Sequence, residues 1–298
     1  VIVDLMQALG DQRELLTERA PLAPLTWFRL GGPADLLARP QTLEQLKAIV
    51  AAAVDNDIPW RILAGGSNVL VRDEGFRGVV ILLESPAFSD VSIADATITS
   101  GAAVPLTALI SQSARAGLSG IEILTGIPGT VGGAIRGNSG SRQGAIGQFV
   151  ERVMVLEATG KVQVRNREEL DFDYRYSNLD DVVILNATLA LEQDDPESVV
   201  RRMRRTWIVK KENQPYSHQS TGCIFKDPNT EATARMLIDQ SGLKGLRIGG
   251  AEVSDRHANY IIAHPEASAA DVLALIDQIR DLVRRRFGFD LELQLQIW

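Results

Sequence analysis

The sequence holds one cysteine, Cys223, among 298 residues, too few for an internal disulfide framework or a thiolate-rich metal centre. Its three histidines, His218, His257 and His264, fall into no metal-ligand spacing of the HExxH kind, so no metal is expected. No apolar run approaches the ~18 residues that a membrane-crossing helix needs. Basic blocks are missing too: 31 Lys and Arg stand against 38 Asp and Glu, a net charge of −7, which argues against a nucleic-acid partner. The longest basic cluster, Arg284-Arg285-Arg286, closes an amphipathic stretch, where cations suit the carbonyl end of a helix. Residues 1–10 carry no basic n-region, so no export signal is expected and a reducing cytoplasm fits. No two glycines stand two apart, which removes the G-x-G of a Rossmann dinucleotide site, and no glycine loop ends in Lys-Ser or Lys-Thr.

What remains is 45% apolar and 23% charged, able to bury a core and long enough for two or three compact units. Apolar spacing predicts helices over 43–56, 105–116, 196–207, 232–240 and 268–287. Pro105 opens the second and Gly117 follows its end; the last begins with the capping-box pair Ser268 and Asp271 and stops at Gly288. Strands are expected at 60–63, 69–71, 79–83, 96–100, 182–191 and 260–263, with 150–158 and 161–165 a hairpin around Thr159-Gly160. From 290 to 298, Leu291, Leu293, Leu295 and Ile297 alternate with Glu292, Gln294 and Gln296, which predicts one strand with an apolar and a polar face.

Two segments are dense in glycine. Residues 64–71 read Ala-Gly-Gly-Ser-Asn-Val-Leu-Val, and residues 126–147 carry eight glycines in 22 positions. Glycine lets main-chain amides approach a ligand closely, and successive amides make a concave donor surface suited to diphosphate oxygens. Ser67, Asn68 and Thr130 add hydroxyl or amide groups. Either segment alone reads as a tight turn; the two together point toward a bound diphosphate cofactor.

Six motifs follow one another along the chain. They are residues 26–34 (Thr-Trp-Phe-Arg-Leu-Gly-Gly-Pro-Ala), GGSNVLV at 65–71, GIPGTVGGA at 126–134, Tyr174-Arg175-Tyr176-Ser177, Gly222-Cys223-Ile224-Phe225-Lys226, and residues 249–259. In this order they resemble the UDP-N-acetylenolpyruvoylglucosamine reductase (MurB) family, in its shorter type II form. The resemblance implies an α+β chain: a PCMH-type FAD-binding fold of two α+β subdomains over 21–192, followed by a MurB-type α+β substrate domain over 193–298, with 1–20 a leading segment. It implies FAD as cofactor and NADPH as reductant. It also implies a UDP-sugar enolpyruvyl ether as substrate, reduced to the lactyl ether for peptidoglycan.

The same resemblance assigns residues. Gly65, Gly66, Ser67, Asn68, Val69, Leu70, Thr125, Gly126, Pro128, Gly129, Thr130, Gly132 and Gly133 match the cofactor-binding segments. Arg175 matches the cation beside the substrate carboxylate, a role suited to a guanidinium that grips two oxygens. Cys223 stands where the family commonly has a serine proton donor; a thiol, with a reference pKa of ~8.5, is a far better acid than an alcohol. Gln294 stands where the family has a catalytic glutamate, and an amide exchanges no proton at neutral pH, so Glu292 is kept as a substitute. Asp227 stands where the family usually has an Asn that helps hold the substrate's phosphates, and Lys211 and Lys226 are candidates to bind the UDP diphosphate. Two other readings remain open at this stage: a related flavoenzyme acting on another small molecule, and a flavin-binding homologue with impaired turnover because of Gln294.

Overall fold

The computed structural model describes residues 9–215, 218–228 and 231–298. The leading segment expected over 1–20 therefore lies partly outside the described residues. The chain divides into two compact units. The larger holds the described residues up to Ala20, Asp35–Gly65 and Arg77–Val209; the smaller holds Pro21–Ala34, Gly66–Phe76 and Lys210–Trp298.

Strands β1 (Leu16–Pro21), β2 (Pro33–Ala38), β3 (Trp60–Leu63) and β4 (Phe76–Leu82), in the larger unit but for the end residues Pro21, Pro33, Ala34 and Phe76, form a four-stranded sheet in the order β1-β2-β4-β3. A second sheet of five strands contains β5 (Val91–Ala94), β6 (Thr97–Gly101), β7 (Val150–Glu157), β8 (Val162–Asn166) and β9 (Val182–Ala190), in the order β8-β7-β9-β6-β5. Helix α1 (Leu43–Asp55) starts at Thr42, whose hydroxyl accepts from Gln45 N, and buries Leu46, Ile49, Val50 and Ala53. Strand β9 is apolar on both faces. Ile184, Ala187 and Leu189 join a core with helices α2 (Leu106–Arg115) and α3 (Val131–Arg136), while Val183 and Leu185 join the core containing α1. The β7–β8 hairpin turns at Gly160, whose φ of +80° is a left-handed value that glycine adopts without strain.

In the smaller unit, α5 (Ala234–Gln240) and α6 (Ala269–Phe287) join a core with a three-stranded antiparallel sheet: β10 (Arg247–Ile248), β11 (Ala251–Val253) and β12 (Ile261–Ala263). Ser268 and Asp271 form the capping box of α6, and the Asp73 carboxylate accepts from the next amides, Ala269 N and Ala270 N, both at 2.9 Å. Phe28, Leu30 and Leu70 share this core, which ties the two early segments to the C-terminal part of the chain.

Two expectations need correction. Helix α4 (Pro196–Asn213) runs on past Trp207, because nothing in Ile208-Val209-Lys210-Lys211 breaks it. The stretch 290–298 is not one strand, because its hydrogen bonds change partner midway. Gln294 N donates to Ile224 O (2.8 Å) and Leu293 bridges Phe225, whereas Gln296–Ile297 pairs in parallel with Val69–Leu70. The alternation of buried leucines persists at Leu291 and Leu295.

Candidate active site

In the larger unit the two glycine-rich segments meet. An ideal Cβ on Gly65 falls 2.7 Å from Gly129 Cα, and one on Gly133 falls 3.3 Å from Ala64 Cβ. Only residues without side-chain bulk pack so closely at Gly65 and Gly129. The 125–130 bend is pinned by Leu106 N to Gly129 O (3.0 Å) and Val131 N to Val104 O (2.9 Å). The amides of Gly132 and Gly133 are engaged inside the protein, with Ala102 O and Thr130 Oγ1, so their glycines serve close packing, not donation. The main-chain N–H groups of Gly65, Gly129 and Thr130 meet no acceptor among the described residues. The hydroxyl of Thr125, by contrast, donates to Glu122 O.

Helix α3 then links this bend to the Tyr-Arg-Tyr-Ser turn. Thr130 caps its start; its six residues span about 9 Å. Beyond its end, Ser177 Oγ donates to Arg136 O (2.7 Å) and Asn138 Nδ2 to Asp173 O (2.7 Å), while Asn138 Oδ1 accepts from Gly147 N. Arg175 sits on this anchored turn with φ +57°, a left-handed value uncommon for a residue with a Cβ. Its Nη2 donates to Gly140 O (3.1 Å), and its guanidinium lies 5.4 Å from the Tyr174 ring centre. Asn138 is a residue that the motifs did not reveal; in the structure it is buried with φ +39°, and the sequence shows only an asparagine inside the second glycine-rich segment.

In the smaller unit, Gly66 has φ +61° and no room for a side chain: an ideal Cβ lies 2.1 Å from Leu25 O. The N–H groups of Gly66, Ser67 and Asn68 likewise meet no acceptor among the described residues. Asn68 Nδ2 donates to Gln294 O (2.9 Å), which fixes its amide orientation and leaves Oδ1 buried without a partner. Leu70 is buried and Val69 half-buried beside it. A sealed acceptor without a donor costs folding energy unless a ligand supplies one. These features fit a polyhydroxyl diphosphate cofactor.

The structure also places the other predicted residues of this unit. Gln294, half-buried, is hydrogen-bonded through its main chain to Ile224, the chain neighbour of the half-buried Cys223. Glu292 is exposed, and its carboxylate binds Lys226 Nζ at 2.6 Å, while Lys226 N donates to Glu292 O. The expectation that Glu292 shares a strand face with Gln294 fails with the strand itself. Asp227 Oδ1 accepts from Ala234 N (2.8 Å) at the start of α5, where a carboxylate is favourable. Lys211 is exposed in the last turn of α4.

His257 lies in the sixth motif. Burial, then the charges of Arg235 and Lys244, lower its pKa to about 4, and its Nδ1 is buried without a partner. The ring is therefore neutral in the folded protein while an unfolded histidine binds a proton below 6.5. The contribution of this group to stability is expected to be full above pH 6.5 and to fall by about 3 kcal/mol as the pH drops to about 4, with no further loss from it below that. Denaturant unfolding of native and His257→Gln proteins at both ends of this window checks it: the variant is expected to lose less, and equal losses would remove His257 as the cause.

Two family models match the chain. One, described as the UDP-N-acetylenolpyruvoylglucosamine reductase C-terminal domain, matches residues 214–298, and an FAD binding domain matches residues 34–165. The UDP-N-acetylenolpyruvoylglucosamine reductase of Heliobacterium modesticaldum is 37% identical over 293 residues, covering 98% of this chain and 93% of the relative. That of Moorella thermoacetica is 39% identical over 290 residues, covering 97% and 95%. The crystal structure of the Thermus caldophilus enzyme superposes with a TM-score of 0.81 at 38% identity, over 94% of this chain and 98% of that one. With relatives 37–39% identical over nearly its whole length and a solved structure that superposes over 94% of it, the chain belongs to the UDP-N-acetylenolpyruvoylglucosamine reductase family.

Proposed function

We propose that this chain reduces UDP-N-acetylglucosamine enolpyruvate to UDP-N-acetylmuramate, with FAD as bound cofactor and NADPH as electron source, as a step in peptidoglycan precursor synthesis. The observation that carries the cofactor reading is the buried Asn68 Oδ1, without a partner among the described residues, beside the amides of Gly66, Ser67 and Asn68, which meet no acceptor among them. We assign residues 21–192 to the cofactor portion and 193–298 to the substrate portion. No helix among the described residues is long and apolar enough to cross a membrane, and both NADPH and a UDP-sugar are metabolites of the cytoplasm, where we place the reaction.

The amides that meet no acceptor among the described residues, those of Gly65, Gly129 and Thr130 in the larger unit and those of Gly66, Ser67 and Asn68 in the smaller, each suit the phosphates and hydroxyls of the cofactor. When bound, FAD supplies hydride chemistry between NADPH and the vinyl carbon of the substrate. The protein must then manage charge and a proton. Arg175 binds the enolpyruvyl carboxylate and stabilises the negative charge that grows there as hydride is delivered to the terminal methylene carbon of the vinyl group. Cys223 holds the proton that completes the carbon bearing the carboxylate. Gln294 orients by hydrogen bonding and exchanges no proton, and Lys226, paired with Glu292, presents a neutralised pair near the Cys223 loop.

Anaerobic flavin absorbance tests this reading. NADPH is expected to bleach the flavin and the enolpyruvyl sugar nucleotide to restore it. Bleaching without recovery favours another substrate or impaired turnover at Gln294, and no bleaching rejects NADPH. In Cys223→Ala, bleaching is expected to stay near normal while recovery slows on the order of 100-fold or more. Equal slowing of both halves removes Cys223 as the acid.

A further inference from the structure

Asn259 ends the sixth motif, and no step above uses it. It is 2% exposed. Its Nδ2 donates to Phe225 O at 2.9 Å, and its Oδ1 accepts from Phe225 N at 3.0 Å. Its own carbonyl accepts from Ile224 N at 3.0 Å. The side chain thus plays a strand neighbour to one residue, satisfying both main-chain groups of the buried Phe225.

The other side of the same segment is held as firmly. Gln294 N donates to Ile224 O, and Lys226 N donates to Glu292 O, each at 2.8 Å. Ile224–Phe225–Lys226 is therefore stretched between Asn259 and the C-terminal segment, with Cys223 at its leading end. Asn259 is fixed in turn by a tight bend: Ser254 Oγ accepts from Arg256 N and His257 N, and Ser254 N donates to Tyr260 O.

We propose that Asn259 is a positioning residue for proton transfer, holding the Cys223 thiol in register with Gln294 through its two-point grip on Phe225. This rests on the reading of Cys223 as the acid. Only a primary amide of this length supplies a donor and an acceptor at that spacing. A carboxylate lacks the donor, glutamine is a methylene longer, and alanine supplies neither.

The test uses FAD-loaded Asn259→Asp and Asn259→Ala proteins. Three quantities are followed: flavin bleaching by NADPH, flavin recovery with the enolpyruvyl sugar nucleotide, and alkylation of the thiol by iodoacetamide, unambiguous because Cys223 is the single cysteine. In Asn259→Asp above neutral pH, recovery is expected to slow about 100-fold, the scale of a small misplacement, with bleaching unchanged and the alkylation rate altered. As pH falls, the introduced carboxyl takes a proton and regains a donor, so the variant-to-native recovery ratio is expected to climb. Cys223, Lys226 and Glu292 on the segments it grips, and Asp255, Arg256, His257 and Tyr260 in its own bend, are common to both proteins and cancel in that ratio.

A ratio near one at every pH, or a flat ratio with native alkylation, overturns the proposal. Asn259→Ala is expected to slow recovery with no such pH-dependent return; a parallel return in it overturns the proposal equally. Should Cys223→Ala recover normally, the acid assignment falls by itself, while the alkylation rates still report whether Asn259 holds the loop.

Discussion

Gly66→Ala protein is expected to leave the purification column without its flavin. The backbone at Gly66 has φ +61°, where a residue with a Cβ pays roughly 1–2 kcal/mol. Steric overlap costs more: the new carbon would lie 2.1 Å from Leu25 O and 2.9 Å from Thr26 Cα, both main-chain atoms. Neither can rotate away, and Trp27 N donates to Gly66 O at 3.0 Å, so the bend must open as a whole. The unengaged amides of Gly66, Ser67 and Asn68 then leave their positions together. A combined loss of about 3 kcal/mol weakens FAD binding on the order of 100-fold. The flavin-to-protein absorbance ratio and a titration with added FAD measure it. Gly160→Ala is the control, since its φ of +80° carries similar strain but nothing lies within 4 Å of the new carbon. If Gly66→Ala retains FAD as tightly as Gly160→Ala, the bend is only a turn.

Much of this was legible in the amino-acid order wherever the signal was local. Ser268, Asp271 and Gly288 marked both ends of α6 because capping is written in the few residues that perform it. The β7–β8 hairpin and β9 followed from apolar spacing and one glycine turn. The failures share a cause. Alternation through 290–298 reports which side chains are buried but not which backbone supplies the partner, and here the partner changes from Ile224 to Asn68 and Leu70. Chain order likewise hid that Gly66–Phe76 clusters with the C-terminal part, a relation made by long-range bonds such as Asp73 to Ala269. For the candidate site, the motifs named Arg175 and Cys223 as proposals. The Lys226–Glu292 ion pair, the unpartnered Asn68 Oδ1 and the Asn259 grip needed geometry, since each joins residues dozens of positions apart or rests on burial.

Replacing Arg175 by alanine is expected to divide the two half-reactions more sharply than any other single change. Its guanidinium has no part in accepting electrons from NADPH, so bleaching and FAD content should stay at native levels. Recovery with the enolpyruvyl sugar nucleotide should slow about 100- to 1,000-fold, the usual cost of losing one preorganised group at a site of developing negative charge. Lysine should restore part of the rate, because it keeps the charge but loses the planar fork that matches a carboxylate. The unusual backbone supplies a further control. At φ +57° Arg175 is strained, and glycine at that position removes the strain that alanine keeps. Arg175→Gly should therefore melt higher than Arg175→Ala while recovering just as slowly, since the missing group is the same. A role confined to the turn, through the bond to Gly140 O and the Tyr174 ring, predicts a rate that follows melting temperature instead. Native recovery in both variants would leave the carboxylate without its cation and return Arg175 to the architecture of its loop.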